Sequence, residues 1–231
     1  MRWVVAAFLL MGCVSHSADD ASIGARYLGA RYQIDPLGEE RAPDTDPLIR
    51  TDAFDCTTFV ETSLAAGNID KLTRIRYKNG VIGFKNRNHF IESDWIPNNS
   101  DIVKNASAQY GQTAVRHVVI DRAAWLRRVH NIDADDASIA VDMEYIPYQN
   151  ITTINNTEPM VVLFIVGNDK KSDTLGTDLA VVHMGFLLPG GTLRHASSVA
   201  GRVVAVDFYE YIAARARNKN NIGITLLEII K

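Results

Sequence analysis

In the second half of the chain the apolar residues come in short runs, many of them alternating with polar ones, and turn residues separate most neighbours. That pattern predicts strands at 140–147, 160–166, 179–188, 192–196, 202–206 and 222–229. The first half follows a different period. From Asp55 to Ala66 the residues Cys56, Phe59, Val60, Ser63 and Leu64 recur at helical spacing, which predicts a helix with one inward face, opened by Asp55 and closed by Gly67. A second helix over 121–130 turns Trp125, Leu126 and Val129 inward, and a third starts near Phe208, where Asp207 and Glu210 form a capping-box-like pair. The echo of Gly24-Ala25-Arg26-Tyr27 in Gly29-Ala30-Arg31-Tyr32 fits a short helix, and 35–54, with Pro36, Gly38, Pro43 and Pro47, reads as an irregular loop. The stretch 68–112 is polar and turn-rich. Within it Asn79-Gly80 reads as a tight hairpin turn between Ile75-Arg76-Tyr77 and Val81-Ile82-Gly83-Phe84, an insertion around a site. Helices first and an antiparallel sheet after them make an α+β architecture.

Composition adds exclusions. With 231 residues, 47% hydrophobic and 22% charged, the chain supports a core of its own, and no linker divides 19–231, so one domain is expected there. Lys and Arg total 24 against 27 Asp and Glu, and a net charge of −3 offers no basic field for a phosphate backbone. Nucleic acid is not an expected partner. The two cysteines, Cys13 and Cys56, are too few for a disulfide scaffold or a four-thiolate zinc site.

Cys13 belongs to a leader. Met1-Arg2 supplies a positive charge, and Trp3 to Met11 form an apolar run too short to span a bilayer but of signal-peptide length. The run ends in Leu10-Met11-Gly12-Cys13, which resembles the lipobox of bacterial lipoproteins, with Val14 rather than Asp after the cysteine. The resemblance implies that 1–18 is leader and tether, that Cys13 is acylated and anchors the chain to a membrane, and that the protein faces the periplasm from the outer membrane. The alternative is cleavage near Ser15-His16-Ser17 and release as a soluble periplasmic protein.

Cys56 is then the one thiol left in an exported chain, where a free thiol is exposed to oxidation. It is either an inert core thiol or a nucleophile. Its place in the first turn of a helix favours the second, because free N–H groups and the macrodipole there stabilise a thiolate and can hold the oxyanion of a tetrahedral intermediate. Asp55 opposes the thiolate, so a cation should sit nearby, and a histidine is the obvious candidate. His16 lies in the leader, and His117 and His130 flank ordinary hydrophobic segments, which leaves His89, His183 and His195. Strand parity puts His183, Gly185 and Leu187 on one face. If Pro189-Gly190-Gly191 is a three-residue loop, Leu188 faces Thr192, Gly185 faces His195, and the two histidines are diagonal neighbours on that face; a two- or four-residue loop separates them. Together they would let His183 act as base toward Cys56 while His195 fixes its tautomer.

The motifs Asp55-Cys56-Thr57-Thr58-Phe59-Val60-Glu61, Ile75-Arg76-Tyr77, Arg87-Asn88-His89-Phe90 with Asp94-Trp95, His183-Met184-Gly185-Phe186 and His195-Ala196-Ser197-Ser198, in this order, resemble the N-acetylmuramoyl-L-alanine amidase-like family of NlpC-type papain-like cell-wall hydrolases. The resemblance runs from about residue 35 onward. It implies a papain-like α+β fold with the nucleophile at a helix start, Cys56 as nucleophile, His183 as base and His195 as third polar residue, and no cofactor. It further implies a peptidoglycan fragment (muropeptide) as substrate, cut between N-acetylmuramic acid and L-alanine, with Arg87, Asn88, His89 and Trp95 lining the groove. A plainer reading makes Arg87 and Asn88 turn-stabilising groups and Trp95 core. Three other functions stay open: a stem-peptide endopeptidase with the same triad, a zinc site of Cys56, His183 and His195, and a non-enzymatic lipoprotein that binds wall fragments.

Overall fold

The computed structural model describes residues 22–37, 49–167 and 172–230; the leader with Cys13 and His16, and most of the proline-rich loop, lie outside them. One sheet of ten strands organises the described residues: β1 (Arg31–Tyr32), β2 (Ala53–Phe54), β3 (Val103–Asn105), β4 (Ala114–Ile120), β5 (Ile139–Pro147), β6 (Met160–Val166), β7 (Val181–Leu188), β8 (Thr192–Ser197), β9 (Arg202–Asp207) and β10 (Asn221–Ile229). Their spatial order is β2-β1-β9-β8-β7-β6-β10-β5-β4, with β3 also beside β10, and only β1 and β2 run parallel. The helices are α1 (Cys56–Ala65), α2 (Ile69–Arg76), α3 (Ile96–Asn98), α4 (Arg122–His130), α5 (Ser172–Leu175) and α6 (Phe208–Ala216). The architecture is α+β, as the order of patterns predicts.

The uninterrupted apolar run of β6 marks it as a strand covered on both faces, and all seven of its residues are buried. On one face α1 packs Phe59, Val60 and Leu64 against Met184 and Phe186. The Phe59 and Phe186 rings meet edge to face at 5.7 Å. On the other face α6 packs Phe208 and Ile212 against Phe164, Leu187 and Leu193. Burial on this scale fixes α1, and truncating Phe59 to Ala costs about 3–5 kcal/mol. The helix is buried beyond its predicted apolar face: Glu61 is 2% exposed and takes Arg76 Nε at 3.0 Å, with Arg87 Nη2 at 4.0 Å. That group ties α1 to α2 and to the segment beyond it.

Several expectations are corrected. Residues 75–77 are not one arm of a hairpin: Asn68 accepts from Lys71 N–H and starts α2, whose Leu72, Ile75 and Arg76 turn inward at helical spacing. Asn79-Gly80 follows as a short 3₁₀ turn with Asn79 at φ 56°, and Tyr77 bridges to Arg87 instead of to Val81. Only Ala25–Tyr27 of the repeated segment is helical, as one 3₁₀ turn, and Arg31–Tyr32 joins the sheet. Ala53–Phe54, expected in the loop, is strand β2. In α4 Trp125 and Leu126 are buried, whereas Val129 is exposed. β4 was not anticipated.

Candidate active site

Cys56 opens α1. Asp55 caps the helix with Oδ1, which accepts from the Thr58 N–H and from Thr58 Oγ1, both at 2.8 Å, while Thr58 Oγ1 accepts from Asp55 N–H at 3.0 Å. This capping box leaves the Cys56 and Thr57 N–H groups as the first-turn donors without a helical partner. The Met184 N–H of β7 and the Thr57 hydroxyl, at 3.9 Å, approach the sulfur. Burial, followed by the neighbouring Asp55 carboxyl, nevertheless pushes the thiol up to about 12. The helix start does not compensate, and the resting site holds a thiol rather than the expected thiolate.

The β7–β8 turn sets the histidines. Leu188 pairs with Thr192, Leu187 with Leu193 and Phe186 with Arg194, the register of the three-residue loop. Continued by one step it sets Gly185 opposite His195, and a Cβ on Gly185 would come within 2.8 Å of both Arg194 O and His195 Cβ. Glycine therefore lets the strands close up where the imidazoles meet. His183 Nε2 lies 2.7 Å from His195 Nδ1 with the rings edge to face. Both are on the α6 face, where the Tyr211 ring lies 4.9 Å from His195 and Arg215 sits 5.0 Å above the Phe164 ring. Burial first, then the charges of His195 and Arg215, hold His183 well below an ordinary imidazole; burial and Arg215 lower His195 to about 4. Two neutral rings sharing one hydrogen bond are the result.

Cys56 and His183 line one cavity of about 170 Å³, together with His89 and Glu92. His89 Nε2 donates to the Phe84 carbonyl at 2.7 Å, and burial drives its pKa down to about 3. The other three expected groove residues do not line this cavity. Arg87, 5% exposed, bonds the Tyr77 hydroxyl and lies over its ring. Asn88 Nδ2 donates to the Ile75 carbonyl at the end of α2, and Trp95 is wholly buried in the core. The plainer reading of these three describes their surroundings.

Sequence reasoning missed Glu92, Tyr211 and Arg215. The last two could have been found, because Phe208, Tyr211, Ile212 and Arg215 share one face of a helix. Glu92 gives no such signal beyond an acidic residue after Phe90-Ile91. Its Oε1 accepts from Ala180 N–H at 2.6 Å and Val181 N–H at 3.4 Å, at the entrance to β7, and burial raises its pKa. Among the described residues no group of three or more His, Cys, Asp or Glu side chains is arranged to hold a metal ion.

A family model described as N-acetylmuramoyl-L-alanine amidase-like (AmiA-like) matches residues 22–222. The chain belongs to that family. Membership brings an amidase-type hydrolase and a peptidoglycan-type substrate to this fold. A crystal structure of a Legionella pneumophila protein superposes with a TM-score of 0.80 at 23% identity, over 90% of this chain and 87% of that one. An N-acetylmuramoyl-L-alanine amidase from Bacteroides uniformis superposes with a TM-score of 0.67 at 22% identity, over 90% of this chain and 96% of its own. At these identities the likeness is one of fold. No curated protein matches the chain.

Proposed function

We propose that this member of the amidase-like family is an exported, papain-like cysteine hydrolase of the NlpC type that cleaves the amide between N-acetylmuramic acid and L-alanine in peptidoglycan fragments. The observation that carries the mechanism is the 2.7 Å His183–His195 bond beside a helix-start thiol in one cavity. If His183 Nε2–H donates to His195 Nδ1, His183 Nδ1 is left as a lone pair able to take the Cys56 proton. The sulfur then attacks the lactyl carbonyl, the oxyanion forms beside the Cys56 and Thr57 N–H groups, and the new imidazolium keeps its bond to His195. His183 Nδ1–H protonates the leaving alanine nitrogen as the C–N bond breaks. Water, deprotonated by the same nitrogen, attacks the acyl carbon; the C–S bond breaks, and the proton on His183 passes to the leaving sulfur, restoring the thiol and the neutral ring. Because both partners rest neutral, the proton moves when substrate arrives rather than beforehand.

Digestion of a defined muropeptide tests this reading. Mass spectrometry should find the intact stem peptide and the sugar as N-acetylmuramic acid; a dipeptide product would assign the enzyme to stem-peptide cleavage. Replacing Cys56 by Ala should abolish hydrolysis and leave binding, and hydrolysis surviving that change removes Cys56 as nucleophile. Acylation of Cys13, which would place the domain of residues 19–231 at the outer membrane facing the periplasm, is tested by radiolabelled palmitate: the native chain should take up label and Cys13→Ser should not.

A further inference from the structure

Glu92 stands in the same cavity as Cys56 and His183, yet the mechanism above does not use it. It is 3% exposed, in a π-helical turn spanning Ile91–Trp95, a backbone form concentrated at functional sites. One oxygen of its carboxyl is spent: Oε1 accepts from the Ala180 and Val181 N–H groups and ties the turn to β7 two residues before His183. Oε2 is equally buried and has no hydrogen-bond partner. Glu92's own N–H also approaches the carboxyl, so the protein groups bonding it are all donors, and Asp94, a charge acting on it, is another carboxyl. A buried acceptor surrounded by donors and left one donor short is costly unless something completes it. Glu92 lines the cavity, so a ligand bound there lies beside its carboxyl.

Resting on the muropeptide reading above, we propose that Glu92 Oε2 is a substrate-binding acceptor that takes a hydrogen bond from an amide N–H of the muropeptide. Two amide sources exist in such a substrate, the stem peptide and the acetamido group of the sugar. Either would arrive with the carbonyl that Cys56 attacks, so the bond would hold the substrate in register with the thiol.

Glu92→Gln separates this role from bracing. Its carbonyl oxygen can keep the Ala180 and Val181 bonds, while the amide NH₂ takes the place of Oε2 and presents a donor to a donor. With N-acetylmuramoyl-L-alanyl-D-isoglutamine as substrate, the expected result is a KM raised tenfold or more, a melting temperature equal to that of the native protein, and kcat changed far less. The source is read with two analogues, one carrying an ester in place of the alanyl–isoglutamine amide and one carrying an acetoxy group in place of the sugar's acetamido group. The analogue missing the bonded N–H should be weakened in the native enzyme by the same factor, and Glu92→Gln should weaken it no further. An unchanged KM in a folded Glu92→Gln protein overturns the proposal and leaves Glu92 a brace, as does a KM effect that neither analogue cancels. Calorimetry of the same peptide with Cys56→Ala and with Cys56→Ala/Glu92→Gln reads binding without turnover. There the double variant should bind tenfold more weakly, and equal affinities refute the contact. Failure of this contact leaves the Cys56 reading standing, whereas hydrolysis by Cys56→Ala removes that reading and leaves the binding comparison intact.

Discussion

The β7–β8 hairpin and the segment from Arg87 to Trp95 both carry residues of the family pattern and use them in opposite ways. In the hairpin the polar side chains turn toward each other beside a cavity, with His183 and His195 at 2.7 Å and Gly185 clearing the space between the strands. In the segment Arg87, Asn88 and Trp95 turn into the protein, while His89 and Glu92 line the cavity. Arg87 serves Tyr77 and Glu61, Asn88 holds the end of α2, and Trp95 fills the core. Burial is common to both, so what tells them apart is the cavity, which His183 lines and Arg87, Asn88 and Trp95 do not.

The largest effect that sharpens this contrast is in the hairpin. His183→Ala should lower kcat/KM by on the order of 10⁴ with the fold intact. His195→Ala should lower it by about 10². Measured in purified, folded protein, a loss of less than tenfold for His183→Ala would return the hairpin to a structural role. The residues that pack into the protein around α2 and the segment should respond the other way. Arg76→Met strands the buried Glu61 carboxylate and should cost about 3–5 kcal/mol of stability, and Trp95→Ala a similar amount through the cavity it leaves. In both, kcat/KM per folded molecule should stay within a few-fold, measured after denaturant titration has given the folded fraction. A hundredfold loss of kcat/KM in folded Trp95→Ala would bring Trp95 back to the substrate groove.

The same contrast explains what could be read in the sequence. The imidazole pair was legible because a strand has a period of two and a Pro-Gly-Gly turn leaves few registers, so parity alone ranked His183 and His195 above His89. Asp55 and Cys56 were legible because capping is local. α2 was not, since Ile75-Arg76-Tyr77 before Asn-Gly imitates a hairpin arm and the Asn68 cap competes with it only weakly. β4 escaped because its exposed Val115 and Val119 lie on the outer face of an edge strand, where the buried positions are too few to define a run. The ionisation of Cys56 was misread for a different reason. The helix-start donors are visible in sequence, but the burial that outweighs them is a property of the assembled site.

That ionisation has its own test. With the thiol at about 12, iodoacetamide at pH 7 without substrate should label Cys56 more slowly than free cysteine, by tenfold or more, since the thiolate is the reactive form. Faster labelling would show that a cation does reach the sulfur in the resting enzyme, and would make the hairpin an ion-pair partner rather than a base that waits for substrate.

The smallest expected effect concerns Arg215, which joins α6 to the hairpin chemistry without touching the thiol. Burial lowers both imidazoles, and the Arg215 charge lowers them further. The proposed mechanism uses them neutral, so the acid limb of kcat/KM should lie below pH 6.5, toward the value of about 4 held by His195. The sign for stability follows from the same depression. Between about 4 and 6.5 the unfolded chain binds the protons that the native pair refuses, so these histidines cost stability progressively as pH falls through that window. Arg215→Met removes the charge and keeps the length. It should move the acid limb upward by a few tenths to about one pH unit, the size expected of one partly solvated charge, and lessen the acid loss of stability in urea titrations at pH 5. The guanidinium is also bonded to Asn221 Oδ1 at 3.1 Å and lies over Phe164, so a general loosening must be told from the electrostatic effect. Arg215→Lys does so: a retained charge should leave the acid limb near its native position even if packing suffers. An acid limb that rises equally in the Lys and Met variants would make Arg215 a packing residue of α6 and confine the electrostatics of the pair to the hairpin.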